Sequence, residues 1–141
     1  MGPFLTRVLT YGTFDLLHIG HLNLLERLSV LGDELIVAVS TDEFNAEKGK
    51  RCVVSYEDRC RLISALKCVS AVIPETHWSQ KPQDIRNLGI DVFGMGSDWE
   101  GKFDSLSLYC KVVYLPRTEG ISTTHLRKEI SLRERAPSLV S

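Results

Sequence analysis

The chain has 141 residues, 43% of them apolar and 25% charged, enough for one substantial core in a single domain. A formal net charge of −1 and a pI of about 6.4 exclude bulk attraction to nucleic acid or to an anionic membrane surface, so any anion site has to be built by local clustering of cations. No apolar run approaches the ~20 residues of a spanning helix, no signal-peptide pattern precedes Val8, and Cys52, Cys60, Cys68 and Cys110 lack Cys-x-x-Cys spacing, which reads as neutral thiols of a cytoplasmic protein rather than zinc ligands or disulfides.

In chain order, Arg7–Tyr11 predicts a first strand and Leu22–Leu31 a first helix stopping at Gly32. Glu34–Ser40 is almost wholly apolar and β-branched, as buried parallel strands are. The connection from Ser40 to Ser55 is long for a compact domain and reads as a mobile loop. Ser55 with Asp58 makes a capping-box-like start to a helix reaching about Lys67. Ala71–Pro74 is a short strand. Pro82–Leu88 is a helix with Pro in its first turn and Gly89 as its stop. Asp91–Met95 and Lys111–Leu115 complete the strands, and Ser122 caps a last helix, Thr123–Ile130. Residues 131–141 lack periodicity and read as a flexible tail beyond a domain spanning 1–130. The βαβα alternation predicts an α/β fold: a five-stranded parallel sheet between two helical layers, Rossmann-like, with ligands beyond the carboxyl ends of the strands.

The informative residues fall in those five loops. After the first strand comes Thr10-Tyr-Gly-Thr-Phe-Asp-Leu-Leu-His-Ile-Gly-His21. His18 and His21 flank Gly20 where a helix begins, and a helix start offers free N–H groups and partial positive charge that suit a phosphate. After the second strand, Lys48 and Lys50 suit a cover that closes over a polyphosphate. Arg59 sits in the first turn of its helix, where a cation is disfavoured; an anionic ligand or a surface pair with Glu57 or Asp58 would each account for it. Trp78 and Lys81 follow the third strand, as loop anchor or as wall of a small phosphorylated acceptor's pocket. After the fourth, Gly94 and Gly96 free the strand end to approach a ligand, with Asp98 and Trp99 next to them. After the fifth, Arg117 offers a fork for phosphate, Gly120 permits a turn, and Ser122, Thr123 and Thr124 open a second helix.

The twelve-residue stretch ending in His18-Ile-Gly-His21 resembles the His-x-Gly-His signature of the nucleotidyltransferase superfamily. Together with Met95-Gly-Ser-Asp-Trp-Glu-Gly-Lys-Phe-Asp104 and Arg117-Thr-Glu-Gly-Ile-Ser-Thr-Thr124 it resembles the cytidylyltransferase branch, over about Val8–Ile130. The resemblance implies transfer of CMP from CTP to a small phosphorylated alcohol, specifically sn-glycerol 3-phosphate, by direct in-line attack. Mg²⁺ is implied as the counterion of CTP, with no dedicated protein metal site, and a homodimer as the assembly. It implies His18, His21, Lys48 and Arg117 as catalytic. It implies Tyr11, Gly12, Thr13, Phe14, Gly96, Asp98, Ile121, Ser122, Thr123 and Thr124 with the two histidines and Arg117 around the nucleotide. Lys48, Lys50, Arg59, Trp78, Lys81 and Asp98 are implied around the acceptor. Ile19, Lys67 and Ser97 depart from the branch's usual residues; Ile19 is expected to pack with little effect, and the other two bear on acceptor detail more than on reaction type. Relatives that use ATP, or that use phosphocholine, phosphoethanolamine or a sugar phosphate as acceptor, are the nearest alternatives. A catalytically inactive nucleotide-binding regulator would show a damaged histidine pair, and a nucleic-acid-binding module would show a basic stripe; neither is seen.

Overall fold

The computed structural model describes residues 5–118 and 122–135. Five strands, β1 (Arg7–Gly12), β2 (Glu34–Ser40), β3 (Ala71–Glu75), β4 (Val92–Gly96) and β5 (Lys111–Leu115), form one all-parallel sheet in the order β3-β2-β1-β4-β5. This is the expected α/β arrangement, and the order reverses direction next to β1. The carboxyl ends of β1 and β4 therefore diverge at the switch point where such sheets take ligands.

Helices α1 (Ile19–Ser29), α3 (Tyr56–Ser64), α4 (Lys81–Leu88) and α5 (Thr123–Arg135) accompany the sheet. The sheet buries two apolar faces. Val8, Val37, Val39 and Val92 pack with Leu25 and Leu28 of α1 and Ile63 of α3 on one face; Leu9, Ile36, Phe93 and Met95 pack with Ile85 of α4 and Leu106 on the other. Period-two alternation along each strand divides the side chains between these faces.

Several boundaries differ from the sequence reading for identifiable reasons. Helix α1 starts at Ile19 because His18 itself is the cap, and it ends at Ser29 with Val30 as its C-cap, ahead of Gly32. The connection after β2 is not simply a loop: Thr41 Oγ1 accepts from the Phe44 N–H and starts a six-residue helix, α2 (Asp42–Glu47). Ser55 caps α3 by accepting from Asp58 N–H, but the helix stops at Ser64 rather than near Lys67. Helix α4 ends as read, with Gly89 at φ 62° supplying the left-handed cap. Helix α5 runs to Arg135, five residues past its expected end. Gly94 serves packing: a Cβ there would collide with the Leu28 side chain, so the residue lets α1 close onto the sheet rather than admitting a ligand.

Candidate active site

The carboxyl ends of the strands surround a cavity of about 570 Å³, and the loops after all five strands contribute to its walls. The turn after β1 enters it in an unusual conformation. Phe14 and Leu16 hold φ of 56° and 51°, left-handed values that non-glycine residues adopt at a cost. Between them the buried Asp15 carboxylate accepts from the N–H groups of Val53 and Val54, at 2.8 and 2.9 Å, and pairs with Arg127 of α5. Burial alone would raise the Asp15 pKa; those two N–H groups and the guanidinium outweigh it and hold the carboxyl below its ordinary value. The Asp15 carbonyl accepts from Thr123 Oγ1 at 2.7 Å. One residue thus ties three loops together, which offsets the strain of the turn.

This turn delivers the histidine pair. His18 Nδ1 accepts from the Gly20 N–H at 3.0 Å, and His21 Nδ1 accepts from the His18 N–H at 3.2 Å. Backbone N–H groups can only donate, so both Nδ1 atoms are unprotonated and both neutral rings carry their proton on Nε2. The rings stack with centroids 3.9 Å apart at 23°, and the Phe14 and His21 rings meet in a T-shaped contact. His18 Nε2 is buried without a partner among the described residues. Helix capping and ligand presentation, alternatives in the sequence, are here the same device: the cap fixes the tautomer that leaves an Nε2–H to donate. Burial, with His18 adding to it, lowers the His21 pKa to about 4, and burial lowers that of His18. Both rings are therefore neutral donors near pH 7.

Opposite them stands the second helix start. Ser122 Oγ accepts from the His125 N–H and caps α5, and Ser122, Thr123 and Thr124 line the cavity. The Thr123 hydroxyl proton is committed to Asp15, so what Thr123 can offer an anion is its backbone N–H. Arg117 lines the same wall and pairs with Asp98 at 2.9 Å. Two long-range hydrogen bonds hold its loop against α1: Asn23 Nδ2 donates to Thr118 Oγ1, and Arg27 donates to the Pro116 carbonyl. Ile121, expected near the nucleotide, and Gly120 lie outside the described residues.

Lys48 and Lys50 reach the cavity from the end of α2. Lys48 Nζ lies 4.3 Å from the Phe44 ring centroid and 5.2 Å from that of Trp78; burial lowers its pKa, and Lys50 and Lys81 add to this against the opposing pull of Glu75. Trp78, Lys81, Gly96, Asp98, Tyr11, Gly12, Thr13 and Phe14 all line the cavity as expected. The Tyr11 hydroxyl is spent on Asp84 at 2.5 Å, so its ring, not its oxygen, faces the ligand space.

Arg59 is the correction. It is fully buried and does not line the cavity. Its guanidinium donates to the carbonyls of Val54, Thr13 and Ser40 and to the Asp42 carboxylate at 2.7 Å. The anion implied by a cation in that first turn is Asp42, together with three carbonyl oxygens, and not an acceptor phosphate. Sequence reasoning also passed over Asp15, Arg127 and Glu75, which line the cavity. Asp15 stood inside the first motif but was given no role, and nothing local signals Arg127.

A deep cleft at the switch point of a parallel sheet, with two neutral imidazole donors, two helix starts and a set of cations, defines a nucleotide-handling α/β protein. The chain belongs to the cytidylyltransferase-like family, whose model matches residues 9–129. Within it, the chain is 60% identical over 125 residues to glycerol-3-phosphate cytidylyltransferase of Bacillus subtilis (strain 168), covering 89% of this chain and 97% of that one. It is 53% identical over 124 residues to the enzyme of the same name from Staphylococcus aureus (strain NCTC 8325 / PS 47), covering 88% and 94%. Among solved structures it resembles a lipopolysaccharide core biosynthesis protein from Thermoplasma volcanium GSS1, with a TM-score of 0.69 at 29% identity over 82% of this chain and 99% of that one.

Proposed function

We propose that the protein transfers CMP from CTP to sn-glycerol 3-phosphate, giving CDP-glycerol and pyrophosphate. The observation that carries this reading is the convergence of the stacked His18–His21 pair, Lys48, Lys50, Arg117 and the α5 start on one cavity. The extent of identity to two glycerol-3-phosphate cytidylyltransferases supports the nucleotide and the acceptor.

The acceptor's phosphate oxygen is already anionic near neutral pH and attacks the α-phosphorus in line, so no general base is needed and pyrophosphate leaves from the opposite side. Catalysis is positioning and charge neutralisation. His18 and His21 donate through Nε2 to phosphate oxygens as charge grows on them. Lys48 and Lys50 neutralise the triphosphate and the incoming phosphate, and Arg117 with the N–H groups of Ser122–Thr124 grips the nucleotide's phosphates. Mg²⁺ arrives with CTP as the triphosphate's counterion. Each of the cavity's carboxylates pairs with a cation of the protein: Asp15 with Arg127, Asp98 with Arg117, and Glu75, through Oε2, with Lys81.

The site of action is the cytoplasm, in keeping with four free thiols and with the absence, among the described residues, of a helix long and apolar enough to cross a membrane. A homodimer follows from the family resemblance, and sedimentation velocity tests it. The reaction is tested by pyrophosphate release across CTP, ATP, UTP and GTP against glycerol 3-phosphate, phosphocholine, phosphoethanolamine and sugar 1-phosphates. Release with CTP and glycerol 3-phosphate well above every other pair is expected; preference for another pair overturns the assignment.

A further inference from the structure

We propose that Glu75 reads the hydroxyl groups of the acceptor and thereby determines its specificity; this deepens the acceptor reading above and rests on it. Glu75 ends β3 and is 4% exposed, yet it lines the cavity. Its backbone is fixed by register with Ser40 of β2 and by the Thr41 N–H, which donates to its carbonyl at 3.0 Å. Oε2 accepts from Lys81 Nζ at 3.2 Å, and among the described residues Oε1 accepts from nothing. That oxygen is open to the cavity and can only accept, and a hydroxyl is a group that donates to it.

The surroundings say which hydroxyl. Lys81 Nζ sits 4.5, 5.1 and 5.2 Å from the ring centroids of Tyr11, Trp78 and Phe103, so its charge is held in an aromatic wall and balanced by Glu75. Glu75 and Lys81 balance each other, as do Asp98 and Arg117, whereas Lys48 and Lys50 have no carboxylate partner among the described residues. A phosphate is repelled by Glu75 and drawn to Lys48 and Lys50, which turns the remainder of the acceptor towards Glu75. Lys81 disfavours an ammonium there, and a quaternary ammonium has no proton to donate to Oε1. The pair thus selects a neutral, hydroxylated tail over an amino-alcohol one. Trp78, close to both Lys48 and Lys81, separates the phosphate-facing cation from the tail-facing one.

The experiment measures kcat and KM with saturating CTP for glycerol 3-phosphate and for its two deoxy analogues, 2-hydroxypropyl phosphate and 3-hydroxypropyl phosphate. It uses the unaltered protein, Glu75→Gln and Glu75→Asp. The unaltered protein is expected to lose roughly tenfold to a hundredfold in kcat/KM on at least one analogue, as for a hydrogen bond to a charged group. In Glu75→Gln that discrimination collapses, the KM for glycerol 3-phosphate rises by a similar factor, and the KM for CTP stays within about twofold. Glu75→Asp keeps a charge beside Lys81 but withdraws the carboxylate by one methylene, and loses the same discrimination. Equal use of all three acceptors by the unaltered protein overturns the proposal. So does discrimination that persists in both variants, or a loss shared equally by CTP and acceptor. No turnover of glycerol 3-phosphate by the unaltered protein, with turnover of another acceptor, overturns the acceptor reading itself and this inference with it.

Discussion

Asp98 and Arg117 form a 2.9 Å ion pair although their side chains are 62% and 51% exposed, and both line the cavity. A pair so open to water contributes at most about 1 kcal/mol to stability. Its guanidinium is therefore free to exchange a carboxylate for a phosphate. Arg117→Ala is expected to leave the Tm within about 2 °C while lowering kcat/KM for CTP roughly tenfold to a hundredfold, the cost of a lost charge-assisted contact. A large fall in Tm, measured by calorimetry, would assign Arg117 to structure instead.

His18 has two duties that mutation can separate. His18→Ala removes both the cap and the Nε2 donor, and is expected to cost about 1 kcal/mol of stability and on the order of a hundredfold or more in kcat. His18→Asn restores an acceptor for the Gly20 N–H, so stability should recover while kcat does not. Recovery of activity with the cap would show that the ring does nothing beyond starting the helix.

The lowered pKa of His21 makes a directional statement about pH. The unfolded ring binds a proton near 6.5, but the folded ring resists it until about 4. Between those values the unfolded state holds more protons, so this group's contribution is full above 6.5 and is lost as pH falls towards 4. Urea midpoints should fall across that window, and less so in His21→Gln. Proton NMR of the ring should titrate close to 4; a midpoint near 6.5 would contradict the buried, cap-bound tautomer.

Arg59→Met leaves the carbonyls of Val54, Thr13 and Ser40 without their donor and Asp42 without its partner. We expect a stability loss of about 2–4 kcal/mol in urea denaturation. At temperatures where the variant stays folded, the KM values for CTP and acceptor should change together. A selective rise in acceptor KM with unaltered stability would return Arg59 to the acceptor pocket.

How much of this was legible in the sequence depended on range. Strands β2 and β5 coincide with their apolar runs, and Ser55 and Ser122 do cap their helices, because each signal is local. The loops that converge on the cavity were legible too, since a parallel sheet gathers its carboxyl ends on one edge. Helix α2 escaped because six residues are too few to show a period. Arg59 was misplaced because two of its acceptors, Thr13 and Ser40, lie 46 and 19 residues away, and only tertiary structure brings them to it. Asp15 and Arg127, separated by 112 residues, form a contact no local pattern announces.

That last contact sets an order of events for the growing chain. The histidine turn lies near the amino terminus, but its carboxylate stays short of a partner until α5 docks. A polypeptide emerging from the ribosome can fold its first strands early, yet its histidine turn lacks the Asp15–Arg127 tie until α5 has been made and docked.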